Sequence, residues 1–218
     1  MKTIYVINPN SSETVTAGID RALDPLRIPG GPPFKALTLK DGPPGIQTQR
    51  DVDGVIGPLC RLVKDLDGSS AAFVIACFSD PGLHSVRETT AKPVLGIMES
   101  GILTALTLGQ KFGVIAILAG SIPRHLRAIG AMGLTDRLAA EVPVGLPVVE
   151  LADESKTFHR MVACGEQLRD RHGANCVVMG CAGMAQYRDR LQAAIGIPVV
   201  EPTQAAAVMA MGRVNLGW

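Results

Sequence analysis

Short apolar runs alternate with longer amphipathic stretches along this chain. The runs are Ile4-Tyr5-Val6-Ile7, Phe34 to Leu39, Ala72 to Ala76, Val94-Leu95-Gly96-Ile97, Phe112 to Ile117, Val148-Val149-Glu150-Leu151, Cys176-Val177-Val178-Met179 and Val199-Val200. Each is short enough to predict a strand, Phe34 to Leu39 by its alternation and the others as apolar runs. The stretches between them predict helices over about 13–23, 49–66, 81–90, 99–108, 154–171 and 203–211, with others after Ser121 and after Cys181. Val52, Val55, Ile56, Leu59, Val63 and Leu66 recur at helical spacing, and Pro58 among them predicts a kink or a late start. Asn10 with Glu13 fits a capping box. Asp80 reads as a cap ahead of Pro81 at a first helical position, and Ser121 reads as a cap ahead of Pro123.

Regular alternation of strand and helix implies parallel α/β sheets covered on both faces. Ligands of such sheets bind at loops beyond the carboxyl ends of the strands. The loops so placed are 8–12, 41–48, 78–80, 118–121 and 182–184.

Two stretches match one another. Phe73-Val74-Ile75-Ala76-Cys77-Phe78-Ser79-Asp80 and Cys176-Val177-Val178-Met179-Gly180-Cys181-Ala182-Gly183-Met184 each run from an apolar strand to a cysteine and then into helical sequence. A proline and a further short strand follow at nearly the same distance, from Pro93 and from Pro198. The repeat predicts two pseudo-symmetric, doubly wound half-domains, 1–98 with 203–218 and 99–202. They would face a central cleft with one thiol on each wall.

Composition narrows the function. The chain has 218 residues, 47% hydrophobic, and a net charge of +1 without a basic stripe. Nucleic-acid binding has no electrostatic support, and 4% aromatic content offers no stacking platform. No apolar run is long enough to cross a membrane, and the first residues lack the features of a signal peptide. A cytoplasmic protein is expected. Its five cysteines would be reduced, and their spacing and that of the four histidines fits no metal site.

A thiolate near a helix N-terminus is stabilised by the helix dipole and its free N–H groups, so Cys77 and Cys181 are expected to have lowered pKa values. One thiolate can take a proton from carbon while an opposing thiol returns one. Asn8, Ser79 and the backbone of Ala182-Gly183-Met184 could hold the enolate that forms between the two steps. A cysteine at a strand end is more often a small core residue, and Cys60, Cys164 and Cys176 are read that way. His84, His125, His159 and His172 are read as surface residues. Glu99 and Glu201 follow matching strands, and either orient a site or satisfy a helix start.

At these residues the chain resembles the aspartate/glutamate/hydantoin racemase superfamily, and most of all its hydantoin and allantoin branch. The likeness rests on Ile7-Asn8-Pro9-Asn10-Ser11-Ser12, Gly42-Pro43-Pro44-Gly45-Ile46, Ala76-Cys77-Phe78-Ser79-Asp80-Pro81-Gly82 and Gly180-Cys181-Ala182-Gly183-Met184. It implies cofactor-independent racemisation of a 5-substituted hydantoin or allantoin, with Cys77 and Cys181 as the two bases. Asn8, Ser79, Gly183 and Met184 would line the ring, with Phe78 and Ala182 beside them, and Ile46 would touch the ring or its substituent. It also implies a small-molecule substrate and a homo-oligomer. Amino-acid racemases of the superfamily typically carry Cys-Asn-Thr, where this chain has Phe78-Ser79 and Ala182-Gly183. An amino-acid racemase, a maleate cis–trans isomerase and a non-catalytic two-lobed binding protein are the competing readings.

Overall fold

A computed structural model describes residues 2–146 and 154–218. The predicted strand at 148–151 lies outside them. The described residues fall into two compact units. Everything up to Ser100 together with Thr203–Trp218 forms the first, and Gly101–Pro202 the second.

The first unit is built on β1 (Thr3–Asn8), β2 (Phe34–Thr38), β3 (Ser70–Ile75) and β4 (Val94–Gly96), all parallel, in the order β2-β1-β3-β4. The second is built on β5 (Phe112–Ala116), β6 (Leu138–Pro143), β7 (Cys176–Met179) and β8 (Val199–Val200), also parallel, in the order β6-β5-β7-β8. The two orders are the same, so the internal repeat in the sequence is a repeat in topology. β1, β3, β5 and β7 are central and buried almost throughout, which is why they stand out as apolar runs. β6 is an edge strand and mostly half-buried. Its Leu138-Ala139-Ala140-Glu141 has helical rather than strand composition, and sequence reading missed it.

The helices are α1 (Glu13–Ala22), α2 (Gln49–Gly54), α3 (Ile56–Leu66), α4 (Leu83–Thr89), α5 (Ile97–Ala105), α6 (Ile122–Ala131), α7 (Glu154–His172), α8 (Arg188–Ile195) and α9 (Pro202–Leu216). The break between α2 and α3 falls at Val55, and Pro58 lies in the first turn of α3, where its missing N–H costs no hydrogen bond. Val52, Val55, Leu59 and Val63 pack on Tyr5, Ile7, Phe73 and Ile75 to make the first core. In the second unit Met161, Leu168, Leu191 and Ile195 pack on Ile115, Val177 and Met179. Among the described residues no helix is long and apolar enough to cross a membrane.

Three predicted caps are made differently. Ser12 caps α1 by accepting the Val15 N–H, while the Asn10 side chain accepts the Ser12 N–H at 2.9 Å and stays within its own loop. The Ser121 hydroxyl donates to the Leu118 carbonyl at 2.7 Å instead of capping α6. Asp80 caps a helix other than the one that follows it. Its carboxylate accepts the Met98 N–H at 2.9 Å and the Glu99 N–H at 2.8 Å, both in the first turn of α5. The N-cap of α4 is Gly82, in the left-handed region at φ 66°. Asp80 can reach α5 because Gly96 has no side chain, since a Cβ there would lie 2.2 Å from the Asp80 Cγ.

His125 is not a surface residue. It is 2% exposed, and its Nδ1 lies 2.9 Å from a carboxylate oxygen of Glu141 on β6. The other Glu141 oxygen is buried without a hydrogen bond. The partner of His125 lies on the strand that sequence reading missed, so nothing marked this histidine as a core residue.

Two stability predictions follow from these contacts. Removing one member of a buried polar pair strands the other, so His125→Ala should cost about 3 kcal/mol in urea denaturation. Asp80→Ala should cost about 1–2 kcal/mol through the lost cap, and Gly96→Ala about 1–3 kcal/mol through overpacking. Because the same carboxylate is displaced in both, the double variant should cost less than their sum. Additive losses in the double-mutant cycle would contradict the Asp80–Gly96 contact.

Candidate active site

The first cysteine loop grows directly out of β3. The Ala76 N–H donates to the Ile7 carbonyl, carrying the parallel pairing one residue past the strand. The chain then turns tightly, and the Cys77 carbonyl accepts the N–H groups of both Ser79, at 2.8 Å, and Asp80, at 3.0 Å. Asp80 closes the turn at φ +42°, a left-handed conformation that aspartate tolerates better than most residues. Its two bonds to α5 hold that conformation in place. Burial pushes the Asp80 carboxyl up to about 7, against the two N–H bonds and the nearby Arg87 guanidinium, which hold it down. Arg87 also pairs with Glu99 at 2.5 Å and donates from Nε to the Val94 carbonyl at 3.1 Å. Of the residues in this loop, Cys77 and Ser79 are half-buried and Phe78 is buried.

The loop after β1 is knitted to the loop after β2. Ser11 N–H donates to the Pro43 carbonyl and Leu39 N–H to the Asn8 carbonyl, both at 2.9 Å. Gly42 permits this approach, because a Cβ there would sit 2.3 Å from the Pro9 carbonyl oxygen. Asn8 is 1% exposed, and its amide serves the loop. Its Nδ2 donates to Asn10 Oδ1, Thr16 Oγ1 and the Ser12 carbonyl, and its Oδ1 accepts the Asn10 N–H. Ile46 is buried in the first core with Val52 and Leu59. Sequence reading treated both side chains as ring contacts. In the structure Asn8 bonds within its loop and Ile46 packs in the first core.

The second cysteine loop follows β7. Gly180 N–H donates to the Ile115 carbonyl at 2.8 Å, and a Cβ on Gly180 would lie 2.6 Å from that oxygen. Cys181 is half-buried and caps a short 3-10 helix, Ala182–Tyr187, with its sulfur accepting the Gly183 N–H at 3.3 Å. Gly183 is half-buried, Ala182 is buried, and the Met184 side chain belongs to the second core rather than to the loop surface. Cys77 and Cys181 thus occupy corresponding places, each just past the end of a central strand, β3 in the first unit and β7 in the second.

The expected lowering of the Cys181 pKa is not found. Burial pushes the thiol up to about 11. The Gly183 N–H opposes that shift, and the charge of Glu201 adds to it. One N–H at a short 3-10 helix does not outweigh the loss of solvent around a sulfur anion. Cys181 therefore rests as a thiol.

The other cysteines are packing residues. Cys164 and Cys176 are buried, and burial pushes each up to about 11. Cys60 packs at the margin of the first core. All five cysteines are free thiols. Among the described residues no group of His, Cys, Asp and Glu is arranged to hold a metal ion. A cavity of about 290 Å³ lined by Lys2, Ser70, Lys92, Pro93, Arg213 and Trp218 opens at the amino ends of β1, β3 and β4. It is at the opposite pole of the first sheet from Cys77 and takes no part in the chemistry of that loop.

Comparison with known proteins accords with this arrangement. The Asp/Glu/hydantoin racemase family model matches residues 4–210. A hydantoin racemase from Rhizobium meliloti is 33% identical over 99% of this chain and 90% of its own length. An allantoin racemase from Klebsiella pneumoniae superposes with a TM-score of 0.89 at 27% identity, covering 100% of this chain and 89% of that one. The fold is shared with an allantoin racemase from Pseudomonas fluorescens at a TM-score of 0.92 and 24% identity, over 99% of this chain and 92% of that one. The chain belongs to the Asp/Glu/hydantoin racemase family and is an isomerase.

Proposed function

We propose that the protein racemises a cyclic ureide, a 5-substituted hydantoin or allantoin, by two-base proton transfer at C5 without a cofactor. The observation that carries this reading is the pair of half-buried thiols, Cys77 and Cys181, at corresponding strand ends of two units with one topology. The names of the hydantoin and allantoin racemases similar to it support the substrate class.

The C5–H bond of a hydantoin is flanked by a carbonyl and a ring nitrogen. In the forward direction one thiolate takes the proton, and the electron pair moves into the carbonyl to form an enolate. The opposing thiol then delivers its proton to the other face of C5 and becomes the thiolate. The enolate oxygen needs preorganised donors, which Ser79 and the backbone N–H groups of the two cysteine loops supply. Asn8 contributes by keeping its loop rigid, and Phe78 and Ala182 by packing behind the reacting groups. With Cys77 as the thiolate and Cys181 as the thiol the reaction runs in one direction. The reverse direction starts from the enzyme form in which Cys181 has given up its proton.

The test offers each enantiomer of allantoin and of 5-benzylhydantoin to the wild type, Cys77→Ser and Cys181→Ser, following optical rotation. The wild type should racemise at least one pair, and each variant should lose about 10²- to 10⁴-fold in rate. A serine variant at either position with wild-type racemisation would refute the two-base assignment. Failure of the wild type on every hydantoin would refute the substrate class.

A further inference from the structure

Both cysteine loops close on the same backbone bond. The Asp80 N–H donates to the Cys77 carbonyl at 3.0 Å, and the Met184 N–H donates to the Cys181 carbonyl at 3.2 Å. Asp80 and Met184 are thus matching positions, each three residues past its cysteine. Their side chains anchor the two loops by opposite means. Met184 is fully buried and packs in the second core. Asp80 is anchored by hydrogen bonds, accepting the Met98 N–H at 2.9 Å and the Glu99 N–H at 2.8 Å.

These bonds complete a closed frame around Cys77. On one side Ile75 pairs with Gly96 in the β3–β4 register. β4 ends at Gly96 and α5 begins at Ile97, with no loop between them, so the start of α5 is fixed to the sheet. On the other side Asp80 ties the end of the cysteine loop to that same helix start. Arg87 braces the helix start from outside, pairing with Glu99 at 2.5 Å and donating to the Val94 carbonyl at 3.1 Å. The Met98 and Glu99 N–H groups lie in the first turn, where a helix has no acceptor of its own to offer them. Gly96 leaves the room for the carboxylate, since a Cβ there would lie 2.2 Å from the Asp80 Cγ.

We propose that Asp80 is a positioning residue for Cys77, and that its tether to α5 holds the sulfur at the place from which it exchanges a proton with C5. The inference deepens the two-base reading and rests on it for its catalytic meaning, while the tether itself can be measured without substrate. Gly96 separates the tether from the charge. Gly96→Ala keeps the carboxylate but displaces it from α5, whereas Asp80→Ala removes both. An effect of charge alone is lost only in Asp80→Ala. An effect of position is lost in both.

The experiment compares the wild type with Asp80→Ala, Asp80→Asn, Gly96→Ala and the double variant of Asp80→Ala with Gly96→Ala. It is run at about pH 8.5, above the value of about 7 to which burial pushes the Asp80 carboxyl. Three quantities are read: hydrogen exchange at the Met98 and Glu99 amides, iodoacetamide alkylation of each cysteine by mass spectrometry, and kcat and KM on the enantiomers of allantoin and 5-benzylhydantoin. In the wild type both amides should exchange slowly. Asp80→Ala and Gly96→Ala should each speed Cys77 alkylation by about three- to tenfold through local opening, leaving the buried Cys164 and Cys176 as slow as before. Each should lower kcat by about 10- to 100-fold with KM within about twofold of the wild type. Asp80→Asn keeps one acceptor oxygen in the same space and should fall between. In the Asp80→Ala background Gly96→Ala should cost no further rate. Wild-type kcat or wild-type Cys77 alkylation in Gly96→Ala would overturn the proposal. So would Cys164 and Cys176 rising in step with Cys77, which would mean a general loosening. Met98 and Glu99 amides that exchange freely in the wild type would also overturn it, a result that needs no variant to fold. A wild type that turns over neither hydantoin would refute the substrate class and leave exchange and alkylation to decide the tether.

Discussion

A parallel strand ends with its last peptide groups beside those of its neighbours, and both units use that end to present a sulfur. The constraint on everything nearby is that the loop must be held without covering the thiol. In the first unit the Cys77 carbonyl takes two N–H groups within its own turn. The Asp80 carboxylate then pins the turn to α5, through the space Gly96 leaves open. In the second, Gly180 lies against the Ile115 carbonyl and Cys181 caps its own 3-10 helix. These bonds leave Ser79 and Gly183 half-buried beside the sulfurs.

The Asn8 side chain makes four hydrogen bonds within its loop and the adjoining helix. It stiffens the loop after β1, which is locked in turn to the loop after β2 through Ser11 and Pro43. Rigid loops at strand ends matter for carbon-acid chemistry, because an enolate is stabilised by donors that do not have to reorganise.

Much of this was legible in the sequence. Central strands buried on both faces must be apolar runs, so β1, β3, β5 and β7 could be read directly, and the cysteines at two of their ends with them. What escaped depends on partners distant in sequence. Asp80 looks like a local cap because Asp-Pro usually is one, and its true partners are 18 and 19 residues on. β6 is a half-exposed edge strand without a strong pattern, and with it went the meaning of His125 and Glu141. The Cys181 pKa was misjudged because sequence shows the helix start but not the depth of burial.

The central claim is that two different groups handle the proton at C5. It is tested most directly by the early time course in deuterated water starting from a single enantiomer. With two bases, product formed in the first turnovers carries deuterium at C5 while the remaining substrate keeps its hydrogen. Deuterium appearing at equal rates in recovered substrate and in product would mean that one base serves both faces, and would contradict the account.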